Sequence, residues 1–352
     1  MLSANCINPL AGGRLKAQVL SEHAPVEEKP LALRDVPIPR PGAGEILVKV
    51  TACGVCHTEL DEVEGRLTPR LPVIPGHEII GRVVGRGEGA DRHAVGSRVG
   101  IAWIHSACGE CRFCRAGLEN LCAGFQATGC DADGGYAEYT TVHQDYAYPI
   151  PERYTDTEAA PLLCAGAIGY RDLKLAGLKA GQVLGLFGFG ASAHIVLQLA
   201  RHLGATVLVF TRGEEHRRLA LEMGAGWAGD PVDGLPRKLD CAIDFTPAGE
   251  TVPAALASLD KGGRLVIAVI RKRTPIPPLD YAHLLWDEKE IKSVANITRQ
   301  DVNEFLPLAA QIPICTQVQA FPLQEANEAL VLLKRGKIKG AAVLQIGDGG
   351  PA

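Results

Sequence analysis

The sequence is short of the features that mark membrane and secreted proteins. No hydrophobic run is long: the uncharged stretch 159–170 has about a dozen residues and contains Pro161, whereas a membrane-spanning helix needs about 20. The start of the chain has neither the basic region nor the continuous apolar core of a signal peptide. We therefore expect a protein that makes no membrane contact and resides in the cytoplasm.

The sequence also lacks an excess of charge of one sign. Its 36 basic and 40 acidic residues leave a formal net charge of −4, which gives no electrostatic reason to bind DNA, RNA or an anionic membrane. Hydrophobic residues make up 47% of the 352 residues and charged ones 22%, as in ordinary folded proteins. Because a domain usually has roughly 100–200 residues, the length predicts two domains that need no disulfides to fold.

Cysteine, in contrast, is abundant and unevenly distributed. Four of the eleven cysteines occupy one short segment with the spacing C-x2-C-x2-C-x7-C: Cys108, Cys111, Cys114 and Cys122. Four thiolates complete the tetrahedral shell of a structural zinc ion, and such a closed site leaves no position for a substrate. The alternative, four unrelated core cysteines, is disfavoured by the spacing, and clustered cysteines in a reducing compartment indicate a metal rather than disulfides.

A second set of possible zinc ligands is dispersed: Cys56, His77 and Cys164. Two thiolates and one imidazole would leave the fourth position of a zinc ion open, which is typical of a catalytic site. Taken singly, each residue could instead be a buried structural one. Spacing along the chain does not show whether the three converge.

The hydrophobic pattern changes near residue 165. Before it, short β-branched runs such as 45–50, 79–84 and 95–101 are separated by glycine and proline, which predicts an irregular, barrel-like β-rich domain. After it, apolar strands alternate with helices, which predicts a parallel, doubly wound sheet. The predicted strands are 183–187, 206–210, 240–245 and 263–268, and the predicted helices are 192–203, 214–223 and 251–259. A helix at 323–334 and a strand at 341–346 are predicted near the end of the chain.

The turn after the strand 183–187 matches a dinucleotide-binding fingerprint of the form G-x-G-x-x-A, in which the backbone approaches a pyrophosphate at a helix N-terminus. The residues concerned are Gly188, Gly190, Ala191 and Ser192. NAD-binding sequences carry an acidic residue at the end of the next strand, but here that place is taken by Thr211 and Arg212. Arginine can pair with the 2′-phosphate of NADP, so the sequence favours NADP, the alternative being a solvated surface arginine.

Taken together, these motifs resemble the zinc-dependent medium-chain alcohol dehydrogenases, in the alcohol and cinnamyl-alcohol branch. Besides the four-cysteine loop and the glycine turn, the resemblance is carried by residues 53–58 (CGVCHT), 76–78 (GHE), 133–139 (DGGYAEY) and 162–166 (LLCAG). It covers nearly the whole chain, but the first 14 residues have no counterpart in the pattern. The polyol-dehydrogenase branch commonly has glutamate at the third ligand position, so Cys164 disfavours that alternative.

The resemblance implies a GroES-like β-rich catalytic domain, residues 1–164 together with 300–352, and a Rossmann dinucleotide-binding domain, residues 165–299. It assigns Cys56, His77 and Cys164 to a catalytic zinc and the four-cysteine loop to a structural one, two ions per chain. Glu78 resembles the acidic neighbour near the catalytic zinc. A homo-oligomer, tetramer or dimer, is also implied.

Further roles around Cys56 follow from the resemblance. Thr58 occupies the position at which members of the family have a hydroxyl group that takes the proton of the alcohol. Glu59 stands where a carboxylate, usually aspartate, orients the zinc-bound imidazole. Many relatives end the proton relay in a histidine where this chain has Asp61, so either Asp61 accepts the proton or water takes it from the cofactor ribose. His57 stands where the family has a basic residue near the pyrophosphate.

The implied reaction is hydride transfer between an alcohol and NAD(P), with zinc as Lewis acid and the nicotinamide as redox partner. Leu67 and Trp103 stand near positions that line the alcohol pocket in relatives, which favours primary aliphatic or aromatic alcohols and their aldehydes; both could instead be core residues. A zinc-stabilised dinucleotide-binding protein without activity is the alternative from another class. It would be supported by the loss of a ligand or of Thr58, but all are present.

Overall fold

The computed structural model describes residues 12–230 and 233–347, so most of the predicted extension 1–14 lies outside the described residues. The strands in this part of the chain are β1 (Arg14–Leu20), β2 (Leu31–Pro37), β3 (Glu45–Val55), β4 (Ile79–Arg86), β5 (Arg98–Ile101), β6 (Ile104–Ser106), β7 (Gln126–Ala127), β8 (Tyr139–His143), β9 (Ala147–Pro149), β10 (Val183–Phe187), β11 (Thr206–Phe210), β12 (Trp227–Gly229), β13 (Leu239–Asp244), β14 (Leu259–Ile267), β15 (Glu290–Ser293), β16 (Val318–Pro322) and β17 (Ala341–Gln345). The α-helices are α1 (His57–Val63), α2 (Arg112–Arg115), α3 (Asp156–Ala159), α4 (Ala165–Ala176), α5 (Ala191–His202), α6 (Glu214–Glu222), α7 (Thr251–Ser258), α8 (Tyr281–Leu284), α9 (Arg299–Gln311) and α10 (Ala326–Lys334).

The described residues group into two compact units. The first consists of residues up to 164 together with 298–306 and the segment from 315 onward, and the second of residues 165–297 and 307–314. The domain boundaries predicted from the sequence, 1–164 with 300–352 and 165–299, stay a prediction. Within residues 12–230 and 233–347, none of the helices has the length and hydrophobicity needed to cross a bilayer.

The first unit is built on an irregular seven-stranded sheet. Six strands follow the order β16-β17-β3-β4-β5-β9, and β8 pairs with the first half of β3. Its core comes from residues that alternate along the strands, such as Ile46, Val48 and Val50 of β3, which are fully buried. Register shifts interrupt the pairing of β3 with β4, as expected of strands that must curve. The predicted β-rich domain is confirmed.

The second unit contains a six-stranded parallel sheet in the order β12-β11-β10-β13-β14-β15. In the unit's own numbering this is the 3-2-1-4-5-6 order of the Rossmann fold. All five residues of β10 are buried, and Phe187 at its end stacks on Phe210 of β11 with ring centroids 4.1 Å apart. The predicted doubly wound parallel sheet is therefore confirmed.

Most predicted elements agree with the structure to within one or two residues, but there are exceptions. Strand β3 continues to Val55, five residues beyond the predicted run 45–50. Strand β5 begins at Arg98 rather than at 95, and β14 begins four residues earlier than predicted. The predicted helix 323–334 starts as a 3-10 turn, Leu323–Glu325, before α10. In the parallel sheet, strands β12 and β15 are present in addition to the predicted ones, and the first unit also has strands that were not predicted, such as β2 and β16.

Candidate active site

Antiparallel pairing of β3 with β4 brings two of the dispersed ligands together. Cys53 of β3 is opposite Ile79 of β4. Cys56 lies three residues after Cys53, and His77 lies two residues before Ile79, so both are at the same end of the strand pair. Cys53 itself is fully buried in the core of the sheet.

The third candidate ligand, Cys164, follows a 3-10 turn, Ala160–Leu163, that is packed against the same sheet. Leu163 lies over Gly100 of β5, where a Cβ atom would be only 2.8 Å from Leu163 Cδ1. A side chain at position 100 would therefore crowd Leu163 and also Ile150, whose Cδ1 atom would be 2.7 Å away.

These segments assemble a group of four candidate metal ligands. The ligand atoms lie within 4.8 Å of one another and belong to Cys56, His77, Glu78 and Cys164. The Sγ atoms of Cys56 and Cys164 are 4.0 Å apart. A tetrahedral zinc ion with Zn–S bonds of about 2.3 Å places its sulfurs about 3.8 Å apart, so the donor set fits zinc.

Glu59 connects the start of α1 with the imidazole of His77. Its Oε2 accepts a hydrogen bond of 2.8 Å from the backbone amide of Cys56, the N-cap of α1, and its Oε1 is hydrogen-bonded to Nδ1 of His77. Glu59 is completely buried. Because Nδ1 is engaged, Nε2 is left to face a metal, which is the arrangement expected of an orienting carboxylate.

The charges of the cluster favour binding of a cation. The hydrogen bond with Cys164 holds the pKa of Cys56 well below its usual value, and the same contact raises the pKa of Cys164. Burial acts to lower the pKa of His77, but the charges of Glu59 and Cys56 outweigh it and raise that pKa well above its ordinary value. The protons held by His77 and Cys164 are the ones that a divalent metal would displace.

The side chain of Glu78 lies close to the candidate cysteine and histidine ligands, in a space kept free by Gly54. A Cβ atom at Gly54 would be 1.8 Å from Oε2 of Glu78, so no larger residue fits at that position. Burial and the charge of Cys56 raise the pKa of the Glu78 carboxyl well above its ordinary value. A positive ion in the cluster would offset both effects.

Two further predicted residues lie at the cluster. The Oγ1 atom of Thr58 is 3.7 Å from Sγ of Cys56, and the side chain is almost fully buried. The ring of Trp103 packs edge-on against the imidazole of His77, with ring centroids 4.9 Å apart. Thr58 and Trp103 therefore border the ligands directly.

The other predicted residues near Cys56 have different surroundings. His57 is the exposed first residue of α1. Asp61 accepts a hydrogen bond of 2.7 Å from Nε of Arg66, and the Leu67 amide donates to the Asp61 carbonyl at 3.0 Å. Arg66 was not predicted from the sequence. The only signal for it was a basic residue just beyond the end of α1.

The four cysteines of the loop 108–122 also converge, with their ligand atoms within 4.8 Å of one another. Three sulfur pairs are 3.9 Å (Cys108–Cys114), 3.6 Å (Cys111–Cys114) and 3.4 Å (Cys108–Cys122) apart, close to the spacing around tetrahedral zinc. The amides of Cys114 and Gly124 donate to Sγ of Cys111 and of Cys122, which favours thiolates.

The four-cysteine loop is anchored to the rest of the first unit through Glu119. This carboxylate is only 2% exposed and accepts hydrogen bonds of 2.8 Å and 3.0 Å from the amide and the Nε atom of Arg299, the first residue of α9. Cys108, in contrast, is exposed. The loop therefore has one buried attachment and an open outer side.

The predicted dinucleotide turn connects β10 with α5. Gly188 has φ of 88°, which favours glycine, and its amide donates to the carbonyl of Phe210 at the end of β11. Gly190 is the N-cap of α5, and nothing lies within 4 Å of the place where its Cβ would be. Open space in front of a helix N-terminus suits a pyrophosphate.

Thr211 and Arg212 follow β11 next to this turn. The Thr211 amide donates to the carbonyl of Gly229, and its own carbonyl accepts a hydrogen bond of 2.9 Å from Nε of Arg217. Arg212 is exposed, and no ion pair to it is found within residues 12–230 and 233–347.

Comparison with known proteins agrees with this geometry. The profile of the alcohol dehydrogenase GroES-like domain matches residues 42–152, and that of the zinc-binding dehydrogenases matches residues 193–311. The chain is 46% identical over 346 residues to a Mycobacterium tuberculosis protein named "Probable alcohol dehydrogenase AdhA", covering 97% of this chain and 100% of that protein. This chain belongs to the zinc-dependent medium-chain alcohol dehydrogenase family. It is an NAD(P)-dependent alcohol dehydrogenase that acts on a small-molecule substrate.

Solved structures of other dehydrogenases have the same fold. Acetophenone reductase from Geotrichum candidum, solved with NAD, is 28% identical and has a TM-score of 0.84, covering 94% of this chain and 97% of that one. A protein from Sinorhizobium meliloti described as a zinc-binding dehydrogenase and bound to NADP is also 28% identical, with a TM-score of 0.84 and coverage of 95% and 99%. Both nicotinamide cofactors thus occur on this fold.

Proposed function

We propose that this alcohol dehydrogenase holds two zinc ions per chain, a catalytic one on Cys56, His77 and Cys164 and a structural one on the four-cysteine loop. The convergence of two thiols and an imidazole beside Thr58 is the observation that carries the catalytic role. Metal analysis of the purified enzyme is expected to give two zinc ions per chain. A single ion would mean that one of the two sites is misassigned.

When bound, zinc supplies Lewis acidity toward the hydroxyl of the alcohol, and the nicotinamide accepts the hydride. The chain's own residues orient the ligands and move the proton. Glu59 keeps the His77 tautomer in which Nε2 is free, and Oγ1 of Thr58 accepts the alcohol proton while passing on its own. Asp61, whose carboxylate accepts a hydrogen bond from Nε of Arg66, is the proposed terminal acceptor.

The proposed relay is tested by Asp61→Ala. We expect this change to alter the pH profile of kcat more than it alters KM for the alcohol, because it removes a proton acceptor and no binding contact. An unaltered pH profile would exclude Asp61 from the relay and leave water as the acceptor. Arg66→Met serves as a second variant, and it is expected to shift the same limb of the profile in the same direction.

A preference for NADP over NAD is proposed from the end of β11. The absence of a carboxylate there and the exposed Arg212 support it, since a guanidinium can pair with a 2′-phosphate. The test compares kcat/KM for the two cofactors in the wild type and in Arg212→Ala. We expect the substitution to reduce the preference for NADP, whereas a wild type that prefers NAD would contradict the proposal.

The proposed substrates are primary aliphatic or aromatic alcohols and their aldehydes. The place of Trp103 against His77 supports a pocket bordered by one large aromatic side chain, and Leu67 is proposed as a medium-sized wall. A kinetic series from ethanol through benzyl alcohol to cyclohexanol tests this proposal. It includes 1-phenylethanol because one structural relative is named for reducing acetophenone. A strong preference for ethanol or for secondary alcohols would contradict the proposal.

A homo-oligomer, tetramer or dimer, is proposed from the second unit. Strand β15 is the edge of its sheet and is exposed along its whole length, and the large side chains of Tyr281, Trp286 and Ile291 are exposed nearby. Light scattering after gel filtration tests the mass, and a monomer would contradict the proposal. The cytoplasm is the proposed compartment because both clusters require thiols in reduced form.

A further inference from the structure

One buried ion pair in the second unit has no part in the chemistry described so far. Asp244, the last residue of β13, is fully buried, and the ammonium group of Lys272 donates to its Oδ2 at 2.5 Å. The Lys272 side chain is itself only 11% exposed. Two charges taken out of water repay their desolvation only when the geometry is close and further hydrogen bonds are made. Such a pair is therefore expected to fix the position of the groups around it.

The other hydrogen bonds of the pair converge on Thr246. Oδ1 of Asp244 accepts from the amide and the hydroxyl of Thr246 at 2.8 Å and 2.7 Å, and Lys272 also donates to the Thr246 carbonyl at 2.7 Å. The Thr251 hydroxyl lies 2.7 Å from Oγ1 of Thr246 and can donate a hydrogen bond to it. The backbone and the rotamer of Thr246 are thereby both held in place.

Thr246 lies directly against the dinucleotide turn. A Cβ atom on Gly188 would be 3.2 Å from Cγ2 of Thr246 and 3.6 Å from Cβ of Phe245. Strands β10 and β13 are neighbours in the sheet, although β11 and β12 come between them in sequence, so their carboxyl ends flank the point where the strand order reverses. In open parallel sheets this is the crevice in which ligands bind.

The same ion pair joins two loops that border this crevice. The Arg273 amide donates to the Pro247 carbonyl at 2.7 Å, and the Gly249 amide donates to the Thr274 hydroxyl oxygen at 2.8 Å. The loop after β14, which contains Lys272, is thus attached along its length to the loop after β13. Lys272 makes the buried, charged part of this attachment.

We propose that Lys272 is a positioning residue for the nicotinamide cofactor: through Asp244 it fixes Thr246 against the Gly188 turn and so sets the shape of the crevice that receives the dinucleotide. Lys272 is not a catalytic residue, because it acts through Thr246 and through the loop that it attaches. The proposal rests on the dinucleotide-binding function of the second unit and adds to it a residue that holds the crevice in its binding shape.

The test measures dissociation constants of NADH and NADPH by the fluorescence of the reduced nicotinamide, which requires no turnover. Lys272→Met is expected to weaken binding about tenfold, because small misplacements of binding groups have large effects. Lys272→Arg, which keeps the charge, is expected to restore part of the affinity. In steady-state kinetics KM for the cofactor rises while KM for the alcohol and the zinc content stay at the wild-type level.

Arg264→Met is the control, in a more exposed ion pair. It removes another ion pair of the same sheet, in which Arg264 donates two hydrogen bonds to Glu290 at 2.8 Å and 2.9 Å, without contact with the Gly188 turn. This variant is expected to bind both nucleotides like the wild type. If Lys272→Met loses stability as Arg264→Met does but keeps its nucleotide affinity, the ion pair is merely structural and the proposal is wrong.

Two further outcomes keep the test decisive. Where Lys272→Met does not fold, because it leaves Asp244 buried and unpaired, the double variant Asp244→Asn/Lys272→Met removes both charges. The same loss of affinity is then expected, and an unchanged dissociation constant overturns the proposal. A wild type that binds neither nucleotide would instead refute the dinucleotide-binding function itself, so the two failures are distinguishable.

Discussion

The two candidate metal clusters of the first unit are made of similar donors but are assembled in opposite ways. The four-cysteine loop takes all its ligands from 15 consecutive residues, 108–122, and holds them with its own backbone amides on the outside of the unit. The cluster of Cys56, His77 and Cys164 takes its candidate ligands from three distant segments; His77 is buried and packs against Trp103, and the two cysteines are partly buried.

Because of this difference, the four-cysteine site depends mainly on the local structure of its loop, whereas the dispersed site depends on the fold of the whole unit. The loop has little hydrophobic core, so a metal bound there would contribute to its stability directly. Folding of the loop should depend strongly on the metal, whereas binding of the metal should depend little on the rest of the chain. The buried cluster exists only when β3, β4 and the turn before Cys164 are in place. Loss of metal should therefore affect stability at one site and chemistry at the other.

The largest expected effect comes from the buried cluster. His77→Ala removes one of the three proposed catalytic ligands, and we expect kcat to fall by about 10³-fold or more, because metal stabilisation of developing charge contributes several kcal/mol. Zinc should fall from two ions to one per chain, with some loss of stability because the buried Glu59 carboxylate loses its imidazole partner. Near-normal turnover in a protein with one zinc would remove the catalytic role from this cluster.

The converse experiment addresses the four-cysteine loop. Cys111→Ser is expected to remove the second zinc and to lower the melting temperature by roughly 5–10 °C, since a structural metal contributes folding free energy. Turnover measured at room temperature should stay close to that of the wild type. Cys130→Ser is a suitable control, because it changes a cysteine outside both metal-binding groups. A large loss of turnover with unchanged stability would reverse the assignment of the two sites.

A smaller effect is expected from the carboxylate that orients His77. Glu59→Gln can still accept the hydrogen bond from the Cys56 amide but loses the charge beside Nδ1, and we expect zinc affinity of the catalytic site to fall about 10–100-fold. Glu62→Gln, an equally buried change one turn further along α1, is the control and should leave zinc affinity unchanged. Equal losses in both variants would mean that general packing of α1, rather than the contact with His77, is responsible.

The last expected effect is on stability alone, and it concerns a background that any acid titration of the two clusters must subtract. Burial, followed by the charge of His216, lowers the pKa of His194 in α5 to about 4. Since the unfolded chain binds this proton near pH 6.5, stability should fall as pH falls from about 6.5 to about 4, by up to about 3 kcal/mol. His194→Gln should flatten this part of the curve of unfolding free energy against pH. An unchanged slope would show that His194 does not contribute.

Sequence reasoning predicted those elements whose signal is local. Strands β10 and β11 agree at both ends because they are continuous apolar runs bounded by polar residues and glycine. Strand β15 has no such signal: its four residues are all exposed, and Ile291 is its single apolar side chain. The spacing of the four-cysteine loop likewise indicated a metal directly.

The active-site geometry depends on contacts that spacing cannot reveal. Cys56 and His77 meet because Cys53 pairs with Ile79, and that register is a property of the folded sheet. Family resemblance supplied the ligand set that periodicity left open. The ion pair of Asp244 with Lys272 had no signal in the sequence, since a lysine in a loop is usually a solvated surface residue.

The open outer side of the four-cysteine loop determines how this enzyme should lose heat resistance during storage. Cys108 is exposed whereas Cys56 and Cys164 are partly buried, so oxidants in solution should reach Cys108 first, and sulfenic acids or disulfides formed there would release the proposed structural ion first. Stored in air without reductant, the protein should become heat-labile while a fresh assay still records full turnover. Thiol reductant together with added zinc should restore its heat resistance.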